Sequence, residues 1–185
     1  FYSCKFLASI NLPKVTSIGR YAFYGCSSLN SLSLPEVINI DSNAFFSCKS
    51  LTSINLPKVT SISSNVFYYC YSLVSINLPR VVYINQAAFA YCSKLRSINL
   101  LEAIGIGSRA FTNCTSLASV NLSKITYISS SAFWDCNRLI SFNLTSISAV
   151  PTLGANVFED TPIGGYSMYV GQYGLRRFQA SDINE

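Results

Sequence analysis

The stretch LTSINLPKVTSISSNVFYYCYS, Leu51–Ser72, decides the fold, because the chain repeats it. Its cysteine belongs to the series Cys4, Cys26, Cys48, Cys70, Cys92, Cys114 and Cys136, with every interval 22 residues. A phenylalanine stands three residues before each, from Phe1 to Phe133, and a leucine three residues after, from Leu7 to Leu139. Three columns in one register mark an internal repeat. Numbered from its first leucine, the unit reads L-x-S-I-N-L-P-x-V-x-x-I-x-x-x-A-F-x-x-C-x-x. Complete units begin at Leu7, Leu29, Leu51, Leu73, Leu95 and Leu117. A seventh begins at Leu139, where an insertion near Pro151–Leu153 delays the phenylalanine to Phe158 and Thr161 takes the cysteine place. The chain thus divides, within one domain spanning 1–185, into a partial repeat (1–6), seven repeats (7–163) and a capping segment (164–185). Phe1 stands at position 17 of a unit, so the chain opens in mid-repeat and any secretion signal is expected upstream.

Within a unit, Ile54 and Leu56 alternate with Ser53 and Asn55, the period-two pattern of a half-buried strand. Proline follows at Pro13, Pro35, Pro57 and Pro79, where a missing N–H ends a ladder. The A-F-x-x-C segment has apolar groups at i, i+1 and i+4, which predicts one helical turn laid on the core. Val59 and Ile62 point inward on the bend between. One unit cannot close a core, but stacked units bury their inward columns against each other. The expected fold is an α/β right-handed solenoid with one short parallel strand and one short helical turn per repeat. The strands should centre on Ile10, Leu32, Ile54, Ile76, Ile98, Val120 and Phe142. Stacked cysteines on parallel strands would hold their Cβ atoms about 4.8 Å apart, beyond the roughly 3.8 Å of a disulfide. The cysteines are therefore expected reduced and mostly buried, packing as small hydrophobes.

Composition narrows the function. Half of the 185 residues are hydrophobic and 11% are charged, which suits a packed core. The net charge of +5 is scattered, with no basic cluster for nucleic acid or a membrane surface. No apolar run approaches the roughly 18–20 residues of a membrane span. The chain has no histidine, which excludes Ser–His and Cys–His catalysis and removes the commonest metal ligand. Glu159–Asp160 reads as a solvated turn, and no glycine-rich phosphate loop appears. Neither an enzyme nor a cofactor is expected.

The 22-residue period and the F-x-x-C-x-x-L core resemble the BspA-like leucine-rich repeats of bacterial cell surfaces and some parasitic protists. TPIGGYSMYV, Thr161–Val170, resembles the strand that closes such stacks. Relatives often show Val-Pro there and a later tryptophan; here the pair is Val170-Gly171 and no tryptophan follows. The resemblance implies a leucine-rich-repeat solenoid, extracellular or on a cell surface, serving adhesion or the binding of a protein or glycan. It brings no catalytic residues. A structural spacer within a longer surface protein is the alternative.

Three surfaces are candidates. Positions 18 and 19 are expected to face solvent, and carry Tyr24, Phe46, Tyr68, Tyr69, Tyr91 and Trp134, with Tyr71 nearby. Exposed aromatics are enriched at interfaces, and position 18 changes to Ala90 and Thr112 after three aromatic units. The aromatics either receive a partner or shield the core edge. The strand face offers Ser53, Asn55, Ser75, Asn77, Ser97 and Asn99, a polar surface for a glycan or extended peptide, or simply rungs bonded to one another. Position 8 carries Lys14, Glu36, Lys58, Arg80, Glu102 and Lys124, with opposite charges at all but the Lys58–Arg80 step, a charge ladder that helps set register.

Overall fold

The computed structural model describes residues 1–144, 151–163, 169–171 and 174–176. It is a stack of parallel-strand turns, each with three sides. The first side carries the expected strands, from Ser9–Asn11 through Ser53–Asn55 to Ser141–Leu144. Pairing is parallel and advances by one repeat per strand, as in Ile54↔Ile76 and Val120↔Phe142. The ladder is in three pieces, with breaks before Ser53–Asn55 and before Ser97–Leu100. Alternation behaves as the sequence pattern requires: Ile54 is buried, while Ser53 and Asn55 are exposed.

One strand per repeat was expected, and there are two. Positions 11 and 12 form a second parallel series, from Ser17–Ile18 through Ser61–Ile62 to Thr152–Leu153. Thr152 and Leu153 pair with Tyr127 and Ile128, so the extra residues of the last repeat lie before this strand. Gly105 in this series gives its place to the exposed Tyr127 ring, whose outer end would have to turn aside for a Cβ there.

The expected helical turn is absent; no helix occurs among the described residues. Positions 15 and 19 adopt left-handed backbone, as at Asn65 (φ 57°), Tyr69 (φ 61°), Ala87 (φ 51°) and Tyr91 (φ 64°), and this breaks any helical run. Backbone bonding explains the choice. The N–H groups of Asn65, Phe67 and Tyr69 donate to the carbonyls of Gln86, Ala88 and Ala90 in the next turn. The alternate N–H groups of Tyr68 and Cys70 donate within their own turn, to Asn65 and Phe67. A helix would satisfy its donors internally and leave neighbouring turns unlinked; this arrangement joins them along a third side while pairing each donor.

The core lies between the three sides. Phe23, Phe45, Phe67, Phe89, Phe111 and Phe133 are fully buried and stack ring on ring, 5.1–5.5 Å between centroids. The cysteines lie beside them, buried from Cys26 to Cys136, with Cys4 exposed. Each buried thiol donates to the phenylalanine carbonyl of the preceding turn, as Cys70 Sγ does to Phe45 at 3.2 Å. That carbonyl also accepts the Cys48 N–H, so it is shared between two turns. The capping segment lies largely outside the described residues; within it, Tyr169–Gly171 and Gly174–Arg176 pair antiparallel.

Candidate functional site

Position 18 forms a second aromatic column outside the buried one. Tyr2, Tyr24, Phe46 and Tyr68 stack nearly parallel, 4.8–5.1 Å apart. Position 17 turns its ring inward; position 18, one residue on, lays its ring along the outer surface in the same register. The column stops at Tyr68, because the following turns place Ala90 and Thr112 there.

The expected aromatic group assembles around this end. Tyr69 packs 4.4 Å from Tyr68, 5.8 Å from Phe46 and 5.4 Å from Tyr71. Tyr91 lies 5.4 Å from Tyr68 and 4.8 Å from Tyr69. The rings are not free in solvent as expected: Phe46, Tyr68, Tyr69 and Tyr91 are half-buried against one another, and Tyr71 is exposed. Burial pushes the Tyr68 phenol up to about 12, with Tyr69 and Tyr91 adding to it, and burial also raises Tyr71.

Trp134 does not join the cluster. It stands at the far end of a groove of about 600 Å³ whose near end is formed by Tyr68 and Tyr91. Ala87, Ala90 and Thr112 make the floor. The Thr112 hydroxyl is spent on the Ser131 carbonyl at 2.9 Å, so the floor is apolar and small. Trp134 Nε1 donates to Asp160 Oδ2 at 3.0 Å, which holds the indole in place. Asn65, Gln86, Arg109, Asn156 and Glu159 supply the polar walls. None of these polar residues stood out in the sequence, and Glu159–Asp160 read only as a turn. The available signal was the change at position 18 to Ala90 and Thr112, which opens the groove.

The strand-face candidates Ser53, Asn55, Ser75, Asn77, Ser97 and Asn99 are all exposed. Their amides bond from rung to rung: Asn77 Nδ2 donates to Asn55 Oδ1 at 2.9 Å, and Asn121 Nδ2 to Asn99 Oδ1 at 2.7 Å. Between these pairs, where the ladder breaks, Ser75–Pro79 and Ser97–Asn99 border a hollow of about 400 Å³. On the position 8 ladder, Lys58 pairs with Glu36 and Lys124 with Glu102, each at 2.6 Å.

The core thiols are held in their protonated form. Burial raises the thiols of Cys48, Cys92 and Cys114 far above their ordinary range, and those of Cys70 and Cys136 to about 12, so they stay protonated. Among the described residues no three or more of His, Cys, Asp and Glu converge as a metal site, and no helix is long and apolar enough to cross a membrane.

Comparison with known proteins agrees with the fold. The family model described as BspA type leucine rich repeat region (6 copies) matches residues 1–104 and 60–170. A leucine-rich repeat protein of T. pallidum is similar, with 32% identity, 83% of this chain and 76% of that chain covered, and a TM-score of 0.77. A leucine-rich repeat protein of Bacteroides ovatus has 25% identity over 84% of this chain and 50% of that one, with a TM-score of 0.63. A leucine rich cell surface protein of Faecalibacterium prausnitzii shares the fold at 23% identity over 82% and 59% of the two chains, with a TM-score of 0.59. No curated protein matches the chain in sequence.

Proposed function

The chain belongs to the BspA-type leucine-rich repeat family, and from that premise we propose that it is a non-catalytic cell-surface module that binds a ligand on its third side. The observation that carries this is the groove between the Tyr68–Tyr91 cluster and Trp134. Much of the remaining surface is taken up by contacts between turns. Asparagines bond to asparagines, charges pair along position 8, and rings from Tyr2 to Tyr68 stack on rings. The groove is where repetition stops and side chains of differing chemistry converge, as binding sites require. Leucine-rich repeat proteins are generally interaction modules, and the F. prausnitzii relative is described as a cell surface protein.

The test is to screen the protein against immobilised extracellular-matrix proteins and glycans, beside a variant carrying Tyr68→Ser, Tyr69→Ser and Tyr91→Ser. Loss of binding with an unchanged circular dichroism spectrum is expected. The close packing of these rings favours one alternative, that they only shield the core of a structural spacer. In that case the variant melts at a distinctly lower temperature and any binding by the native protein is unaffected.

A further inference from the structure

Resting on that reading of the groove, we propose that its occupant is a neutral oligosaccharide, laid along the stack axis between Tyr68 and Trp134.

Four observations select this chemistry. The groove is lined by Tyr68, Tyr91 and Trp134, and aromatic rings are the surfaces on which the C–H faces of sugars pack. Its polar walls hold planar groups that donate, accept or do both: the amides of Asn65, Gln86 and Asn156, the Arg109 guanidinium and the Asp160 carboxylate. A sugar hydroxyl is donor and acceptor at once, so such a wall satisfies it from either side. Charge favours a neutral occupant. Arg109 and two carboxylates, Glu159 and Asp160, line the groove, and among the described residues no lysine lines it, so a polyion of either sign meets a like charge there. Finally, the floor is made of the small side chains Ala87, Ala90 and Thr112, which leave room above them for a ring to lie between the aromatic walls.

Shape agrees. Tyr68 and Trp134 are three turns apart, roughly 14 Å at the spacing of stacked parallel strands. Successive turns therefore meet a linear ligand at intervals close to the length of a pyranose ring. The volume of about 600 Å³ falls within the range of small-ligand sites. The site is also ordered beforehand: the Trp134–Asp160 bond at 3.0 Å fixes one wall and mutual packing fixes the other, so little freedom is lost on binding.

Trp134 is the one tryptophan in the sequence, so its emission reports this groove alone. The native protein is titrated with cello-, xylo-, manno- and chito-oligosaccharides, with heparin and oligolysine as charged probes, while emission and acrylamide quenching are followed. A saturable shift and protection with at least one neutral oligosaccharide are expected, and none with the charged probes. Ala90→Tyr extends the aromatic column into the groove and should weaken that binding at least about tenfold without lowering the melting temperature, since position 18 carries rings in other turns. Gln86→Ala, on the exposed wall, should weaken it while leaving the fold intact. A response to a charged probe but to no neutral sugar overturns the ligand class and leaves the groove as the site. Sugar binding that leaves Trp134 unaffected and survives Ala90→Tyr overturns the groove itself. Silence of Trp134 toward all the sugars overturns the proposal.

Discussion

The thiol of Cys70 is a hydrogen-bond donor held where it cannot act as a nucleophile. It is fully buried, and its proton is directed at the Phe45 carbonyl. In this chain Cys4 should react with a thiol reagent at once, and the six buried cysteines only as the protein unfolds; quantitative labelling with and without denaturant checks this. Alkaline pH probes the same groups. Their folded values lie above the ordinary 9.0, so the stabilisation is complete below pH 9 and fades as pH rises toward the folded value, about 12 for Cys70 and Cys136. In that window unfolded thiols lose protons that folded ones keep, and each contributes a loss of about 1.4 kcal/mol per pH unit. Denaturant midpoints should therefore fall from pH 9 upward. Phe67 makes the contrast between core and ladder. It stacks 5.5 Å from Phe45 and 5.2 Å from Phe89, both fixed by their own neighbours, so Phe67→Ala leaves a gap and should cost roughly 3–5 kcal/mol. Asn55 gives up one exposed bond with Asn77, and Asn55→Ala should cost about 1 kcal/mol or less. Equilibrium unfolding of both variants measures the order.

The third side carries the largest difference between sequence and structure. Apolar residues at i, i+1 and i+4 fit a helical turn, but they also fit two left-handed breaks that bring Phe67 and Cys70 to the same side. The sequence held the distinguishing signal only in part, since Tyr69, Ala87, Tyr91 and Arg109 also take left-handed backbone. Asn43, Asn65, Gly25, Asn113 and Asp135 occupy left-handed places, and these residue types tolerate positive φ. The second strand series was hidden for another reason: Ser61–Ile62 is too short for alternation to register. The first strands and the phenylalanine and cysteine columns were legible because each recurs in register. The aromatic residues of the groove stood out for the opposite reason, as rings expected to be exposed at positions 18 and 19 that vary between repeats, while their arrangement around a groove did not. The polar half of the groove was not legible, since Glu159 and Asp160 follow the insertion and only the turn-by-turn stacking brings them near Trp134. Ala87 tests the backbone account. It sits at φ 51° with a Cβ, a conformation that costs an L-residue roughly 1–2 kcal/mol. Ala87→Gly relieves that strain against a smaller entropic loss, and should stabilise by about 0.5 kcal/mol, seen as a higher melting temperature. A helical turn there would give the opposite sign.

At the scale of the whole molecule, the unit of change is the turn. Each turn contacts its neighbours and the register advances by 22 residues, as in Ser53↔Ser75. Deleting 73–94 removes one turn and lets Ser53–Asn55 meet Ser97–Asn99 in the same register. The shortened chain should fold cooperatively with a lower denaturant midpoint, because one set of interfaces is lost. Deleting 73–83, half a turn, sets phenylalanine columns against polar positions, and that protein should not fold. Circular dichroism and size-exclusion chromatography of the two proteins separate the outcomes. The alternating backbone bonds of the third side carry a further consequence, in mechanics. The N–H groups of Asn65, Phe67 and Tyr69 all cross to the next turn, parallel to the axis. Tension applied at the two ends loads such bonds one turn at a time instead of shearing them together. The protein should therefore yield by peeling, in a saw-tooth of similar low forces, each step releasing about 75 Å of chain, the reach of one extended turn. Such a stack would lengthen turn by turn under load and re-form when the load is removed.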